Sequence, residues 1–543
     1  MTEEHANLFE LLVEVDELCN ANNIDYCLAG GSSLGAVRNH CFLPWDDDVD
    51  LYITRENWNK FLKLYEENPE KFPKNRVLVC TDNEKYHRNP IARYVKTDTT
   101  IIFSGQEFSG KTCGQQVEFF IMDPIPNSDK GREEFYKYYK LYIELLVPYF
   151  ITNKNASIED FREHYKLYKQ YCKKAKKIGF EKVIEELEQK VLTYGDNKEE
   201  FDTYSLRWGQ RSLLHPKKNY EGKRYIEFEG REFPIAPLLE HSLRVDYGDS
   251  WMYIPSVEGQ LTHNPIIEDL DRPFEEYTSL YINRLNRERL IDDYTENKKI
   301  NMSLFVIRRE IEMREKELDK IVFEKEFSET IVGRTEEIHQ LICKKDFIKS
   351  NEILAKYYKV QLSKNMKRYN VLIDLGDEFM LEAITNYIDQ GLYYLGNSLL
   401  QLRKNSKSTG LEKFAMCEKK IKAYREMSIA RYDFKSREMV EDVLAKHKEF
   451  SCELDYIRTD LWLMFEKAAC EEDYREIIEY CKEKLDIYNY DGELMAFLGR
   501  ALLKLGQEED AKKYYEKAVM HTRNGFVWYE AKMNAGIDKI KEA

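Results

Sequence analysis

Asp46, Asp47, Asp48 and Asp50 crowd four carboxylates into one short stretch. That much negative charge is costly unless a cation lies among it. The Asp48-Val49-Asp50 alternation is that of a strand, which points both carboxylates to one face of a sheet, where oxygen can grip a hard divalent ion. Just upstream, Ile24 to Ala29 reads as a strand and Gly30-Gly31-Ser32-Ser33 as the tight turn after it. Backbone N–H groups freed in such a turn form an anion nest suited to nucleotide phosphates. Arg38, a surface salt bridge by default, is drawn by this neighbourhood into a phosphate-binding role.

Leu34-Gly35-Ala36-Val37-Arg38 and Pro44-Trp45-Asp46-Asp47-Asp48-Val49-Asp50 together resemble the LicD family of the nucleotidyltransferase superfamily. The likeness continues through Thr54 to Trp58, Ala92 to Thr100, Val117 to Asp123, Phe228 to Pro234 and Asp246 to Met252 with Pro255, so it spans about residues 5–265. It implies an α/β nucleotidyltransferase-like catalytic domain, needing Mg2+ or Mn2+, that moves phosphocholine or a similar phospho-linked head group. The implied donor is a cytidine nucleotide, the acceptor a glycan or lipid-linked glycan hydroxyl, and the leaving group CMP. Carried over residue by residue, the resemblance makes Asp48, Asp50 and Glu118 the catalytic and metal-ligating carboxylates, with Glu118 standing where the family usually has aspartate. Either Glu118 or Asp50 accepts the hydroxyl proton. Gly30, Gly31, Ser32, Ser33, Arg38, Arg93 and Lys96 are expected to hold the donor phosphates, and Asp46 and Asp47 to orient the site. His263, near the end of the matched region, is a supporting polar residue. Trp45, Trp251 and Tyr253 are read as packing residues in preference to an aromatic box for a quaternary ammonium.

Two rival readings come from other classes. A metal-dependent glycosyltransferase also uses Asp-x-Asp, but it leaves the upstream Gly30-Gly31-Ser32 and the later Val117-Glu118-Phe119-Phe120 unexplained. A non-catalytic helical-repeat scaffold is opposed by the intact Asp48, Asp50 and Glu118.

The elements that must position these residues follow from periodicity. Leu8, Leu11, Leu12, Val15 and Leu18 have helical spacing and lead into the first strand. Residues 1–300 are expected to form the catalytic domain, interrupted at about 131–200 by a helical insertion rich in Lys, Glu and Tyr. A linker helix is predicted over 301–334, on the register of Leu304, Ile307, Ile311, Leu318 and Ile321. An all-α, tetratricopeptide-like repeat domain is predicted over 335–543. Its clearest units are at 457–520, where Trp462 aligns with Ala496, Ile477 with Ala511, Tyr480 with Tyr514 and Leu485 with Val519. Such stacks present a concave surface, here assigned to a protein partner or the glycan acceptor.

Composition sets the outer limits. With 543 residues, a net charge of −15 and 33% charged residues, the chain lacks the basic footprint of a nucleic-acid binder. Its longest apolar stretches, such as Leu145 to Ile151, fall far short of the ~20 residues that span a bilayer. Met1-Thr2-Glu3-Glu4-His5 opens acidic, without the apolar run of a signal peptide. A cytoplasmic protein is expected, with a peripheral position at the inner face of the membrane compatible with that. The 11 cysteines form no C-x-x-C pair, so neither zinc fingers nor a disulfide framework is expected.

Overall fold

The computed structural model describes residues 2–80, 91–102, 113–126, 128–146, 167, 170–171, 173–175, 177–193, 200–203, 214–256, 260, 263, 265, 267–277, 323, 327–363, 366, 371–432 and 436–536. Two compact units emerge. The first comprises Met1–Asp246 and Leu261–Glu310, the second Tyr247–Gln260 and Ile311–Ala543.

The first unit is built on a mixed sheet. Helix α1 (Glu3–Ala21) starts where the Thr2 hydroxyl accepts a hydrogen bond from the His5 N–H, and it buries Leu8, Leu11, Leu12, Val15 and Cys19 along one stripe. After it come β1 (Cys27–Leu28), α2 (Gly30–Asn39), β2 (Val49–Thr54) and α3 (Arg55–Glu67). Strands β3 (Arg76–Val79), β4 (Ala92–Lys96), β5 (Thr100–Ile102) and β6 (Gln116–Pro124) follow. The sheet runs β1-β2-β6-β4-β3. Strand β6 is its spine, nearly all buried, paired parallel to β2 and antiparallel to β4. One face packs Phe119 against Trp58 and Phe61 of α3. On the helix-covered side, α1 is tied down by Arg76, which pairs with Glu10 and Glu14, and by the Tyr94 hydroxyl, which donates to Glu14 at 3.1 Å.

Within the stretch expected as a helical insertion lie α4 (Asp129–Leu146) and α5 (Phe180–Thr193), which share a core of Phe135, Tyr139, Tyr142, Val183 and Leu187. Strand β7 (Glu200–Thr203) then pairs with the end of β6 and with β8 (His215–Pro216). A hairpin of β9 (Arg224–Phe228) and β10 (Arg231–Ile235) precedes α6 (Leu239–Tyr247), and β11 (Ile267–Asp269) pairs with β5. One local expectation is corrected. Gly30 to Ser33 do not form a free turn: they are the first turn of α2, with Ala29 extended at its N-cap.

The second unit is mostly helical. Its helices run from Thr335–Cys343 to Gly525–Ala535, and residues 301–322, most of the predicted linker helix, lie outside the described residues. Helices Leu454–Glu471, Arg475–Ile487, Gly492–Lys504 and Glu508–His521 share one apolar core, in which Ile477 and Ala511 are both buried. Elsewhere in the unit, buried Arg431 pairs with buried Asp455 at 2.9 Å, and buried Arg403 with half-buried Asp377 at 2.7 Å. Tyr247–Gln260, which interrupts the first unit in sequence, belongs here. Trp251, Met252 and Tyr253 are buried, the Met252 carbonyl accepts the Gly525 N–H at 2.8 Å, and Tyr253 stacks on Tyr394 at 4.6 Å. Trp251 and Tyr253 are thus packing residues.

Candidate active site

Strand pairing assembles the carboxylates. Parallel registration of β2 with β6 sets Asp50 directly opposite Glu118, and partners in such a register share a face of the sheet. Asp48 enters from the residue before β2. Ligand oxygens of Asp48, Asp50 and Glu118 all lie within 4.8 Å of one another. A second grouping shares Asp48: oxygens of Asp47 and Asp48 and a ring nitrogen of His263 meet the same 4.8 Å limit.

The two glycines are a geometric requirement of this arrangement. A Cβ on Gly30 would stand 2.2 Å from Asp50 Oδ2, and one on Gly31 would stand 2.3 Å from Asp46 Oδ2. Gly30 also has φ of 46°, in the left-handed region. The bare backbone of the start of α2 therefore comes directly against the carboxylates. The Gly31 N–H donates to Asp50, and the positive end of the helix dipole faces the negative cluster. Ser32 Oγ accepts the Asp50 N–H at 3.0 Å, the Ala29 N–H donates to the Asp50 carbonyl at 2.9 Å, and Ser33 Oγ donates to the Gly30 carbonyl at 3.0 Å. Both serines are almost wholly buried: Ser32 locks β2 to α2, and Ser33 closes the first turn of α2.

The electrostatics record a shortage of positive charge. Burial, then Asp48 and Glu118, push the Asp50 carboxyl well above its usual range. Burial, then Asp46 and Glu118, do the same to Asp48. Burial and Asp47 push Asp46 up to about 7. Asp50 Oδ1 and Asp46 Oδ2 are buried with no hydrogen-bond partner, an arrangement that costs roughly 1–3 kcal/mol or more per group. His263 supplies part of the missing charge. Its Nδ1 lies 2.7 Å from Asp47 Oδ1 and 3.5 Å from Asp48 Oδ2, and its backbone N–H donates to Asp47 Oδ2 at 2.9 Å. The hydrogen bond with Asp47 raises the imidazole to about 9. Clustered hard oxygens, two of them orphaned, fit a divalent cation.

The basic residues separate. Arg93 on β4 is the register partner of Glu118, and its Nε lies 3.1 Å from Glu118 Oε1. Lys96, three residues on, faces the other way: its Nζ donates to Asn7 at 2.6 Å and Glu10 at 2.8 Å, both on α1. The expected phosphate role of Lys96 is not supported by this position, because residues three apart on a strand occupy opposite faces. Arg38 is buried in the last turn of α2, about 12 Å along the axis from Gly30 at ~1.5 Å per residue.

Two contributors escaped the sequence reading. Gln116 Nε2 donates to Glu118 Oε1 at 2.7 Å, which, with Arg93 on the same oxygen, leaves Oε2 for a cation. Its i, i+2 spacing from Glu118 was the available signal. Glu4, pushed up to about 7 by burial, Glu268 and Asp47, had no local signal, since it comes from the start of α1.

Comparison with known proteins agrees with the residues that carried the resemblance. Residues 23–104 match the LicD/FKTN/FKRP nucleotidyltransferase domain. The chain is 25% identical over 250 residues to the lipopolysaccharide cholinephosphotransferase LicD of Haemophilus influenzae, which covers 46% of this chain and 89% of that protein. An uncharacterised protein of Rickettsia typhi is 30% identical over 90 residues, covering 15% of this chain and 29% of its own. Another, of Rickettsia prowazekii, is 41% identical over 51 residues, covering 9% and 19%. Asp48 and Asp50 fall inside the matched segment, at the start of a strand laid against the Gly30-Gly31 helix start, so the stretch of the first unit that holds these carboxylates is similar to the LicD/FKTN/FKRP nucleotidyltransferase domain.

Proposed function

We propose that this chain is a metal-dependent phosphotransferase that moves phosphocholine, or a similar phospho-linked head group, from a cytidine nucleotide donor to a glycan hydroxyl. The observation that carries the reading is the Asp48, Asp50 and Glu118 oxygen cluster, held within 4.8 Å against the glycine backbone of α2. The cholinephosphotransferase named among the relatives supports the head group and the glycan class.

Asp48, Asp50 and Glu118 would hold Mg2+ or Mn2+, which when bound neutralises phosphate oxygens. The start of α2, whose Gly31 N–H is taken by Asp50, favours a donor phosphate nearby through the positive end of its helix dipole. Arg93, beside Glu118, stabilises charge on the leaving side. The acceptor oxygen forms a bond to the head-group phosphorus as the phosphorus–oxygen bond to CMP breaks, and the hydroxyl proton passes to Asp50 or Glu118. Asp46, Asp47 and His263 steady Asp48 from the other side.

The helical unit is proposed to be a tetratricopeptide-like stack that presents the acceptor or a protein partner, a reading supported by the aligned positions at 457–520. Among the described residues no helix is long and apolar enough to cross a membrane, which is compatible with action in the cytoplasm or at the inner face of a membrane.

Thermal stabilisation of the full chain by candidate donors, with Mg2+ present, tests the donor class. CDP-choline or CDP-ethanolamine is expected to raise the melting temperature where UDP-sugars do not. Stabilisation by UDP-sugars alone would favour the glycosyltransferase reading and overturn this one.

A further inference from the structure

The helical unit holds a cavity of about 630 Å3 that no step above uses, within the ~300–1,000 Å3 typical of small-molecule sites. One wall is a stripe of the Tyr393–Ser406 helix: Tyr394, Asn397, Gln401 and Lys404, whose spacings of three and four place them on one face. The Ala415–Tyr432 helix supplies Lys422 and Arg425 from the other side.

Charge selects the ligand class. Four cations line the cavity, Lys404, Lys419, Lys422 and Arg425, against two carboxylates, Asp249 and Glu418. That local excess of positive charge stands out in a chain of net charge −15. Lys404 pairs with Glu418 at 2.8 Å, Lys419 with Glu449 at 2.8 Å and Arg425 with Asp249 at 2.5 Å. Lys422 is exposed and makes no ion pair among the described residues, so an anion entering the cavity meets an uncommitted ammonium.

The rest of the lining selects for hydroxyl groups. Gln401 Nε2 donates to Asn397 Oδ1 at 3.3 Å, which leaves the Gln401 carbonyl oxygen as an acceptor and the Asn397 amide as a donor to a ligand. Tyr394 is held by its stack on Tyr253, which fixes one edge of the cavity with a rigid aromatic side chain. A simple anion would use the cations alone, and an acidic peptide would have no need of the adjacent donor and acceptor.

We propose that this cavity binds a phosphorylated saccharide, its phosphate at Lys422 and Arg425 and its sugar hydroxyls at Asn397 and Gln401. The site rests on this lining and does not depend on the transfer reaction proposed above.

Isothermal titration of the full chain with glucose 6-phosphate, glucose, inorganic phosphate and hexaglutamate tests it. Saturable binding of glucose 6-phosphate is expected, at least about tenfold tighter than the other three. Lys422→Glu and Gln401→Ala, both at exposed positions, should each weaken it about tenfold or more with circular dichroism unchanged, whereas Asp50→Asn should leave it unaltered. Absence of saturation, indifference to Lys422→Glu, or equal binding of inorganic phosphate (an adventitious ion only) or hexaglutamate (an acidic peptide site) would each overturn the proposal.

Discussion

Replacing Asp50 by asparagine should separate the stability of the active site from its chemistry. Asp50 is opposite Glu118 in register and shares a 4.8 Å cluster with Asp48 and Glu118. At an effective dielectric of about 20, two unit charges at that distance repel by roughly 3 kcal/mol. Asparagine removes Asp50 from both pairs and keeps an oxygen for the Gly31 N–H. The full relief is not realised, because the Asp50 and Asp48 carboxyls are held well above their usual range and are protonated over part of the pH scale. A carboxyl raised in the folded state favours folding at low pH, and that advantage is lost as pH rises from the unfolded value of about 4 through the folded one. Metal-free wild type should therefore lose stability as pH rises above about 4, and Asp50→Asn should lose less, melting higher by several degrees at the alkaline end. Magnesium should reverse the order. A ligand at about 100 times its dissociation constant stabilises by ~2.7 kcal/mol, which wild type gains and the variant does not, while transfer falls by on the order of a thousandfold. Scanning calorimetry across pH, with EDTA or Mg2+, reads all of these. Identical melting of wild type and variant at every pH, with or without metal, would refute the reasoning.

Other substitutions probe the frame. Gly30→Ala or Gly31→Ala drives a methyl group to about 2 Å from a carboxylate oxygen, so each should cost roughly 1–3 kcal/mol in urea unfolding and abolish metal binding by calorimetry. Lys96→Met, on the α1 side, should cost at most about 1 kcal/mol and leave kcat intact, whereas Arg93→Met should cut kcat with little effect on urea unfolding. His263 is raised to about 9 by Asp47, so its stabilising contribution is complete below about pH 6.5 and lost as pH rises through about 9. His263→Gln should thus lower the metal-free melting temperature at pH 6 and converge with wild type at pH 10.

Much of the site was legible because it is local. Asp48-Val49-Asp50 announced a strand face, and the paired glycines were read as a turn whose N–H groups face an anion, whereas their approach to the Asp50 and Asp46 carboxylates came only from the fold. Glycine and serine favour turns over helix interiors, which is why the start of α2 read as a turn. Its helical geometry is imposed by packing against β2, where the Asp50 N–H reaches Ser32. The divergence of Lys96 from Arg93 was also readable, from strand alternation alone. The contact of His263 with Asp47 was not, since 216 residues separate them. Nor was the place of Trp251 and Tyr253, whose aromatic pattern fits either unit and is decided by partners such as Tyr394 and Phe526. Helical period in the C-terminal half foretold a mostly helical unit, as a 3.6-residue apolar repeat should.

The central claim, phosphotransfer by a metal-loaded Asp48, Asp50 and Glu118 cluster, meets its most direct test in the reaction products. Full-length protein, Mg2+, CDP-choline and a candidate glycan would be followed by phosphorus NMR and mass analysis. The account predicts CMP together with a new phosphodiester on the glycan, and neither product in EDTA or with Asp48→Asn. Equal turnover without divalent metal, or a nucleoside diphosphate released from a nucleotide sugar while the glycan gains no phosphorus, would contradict it.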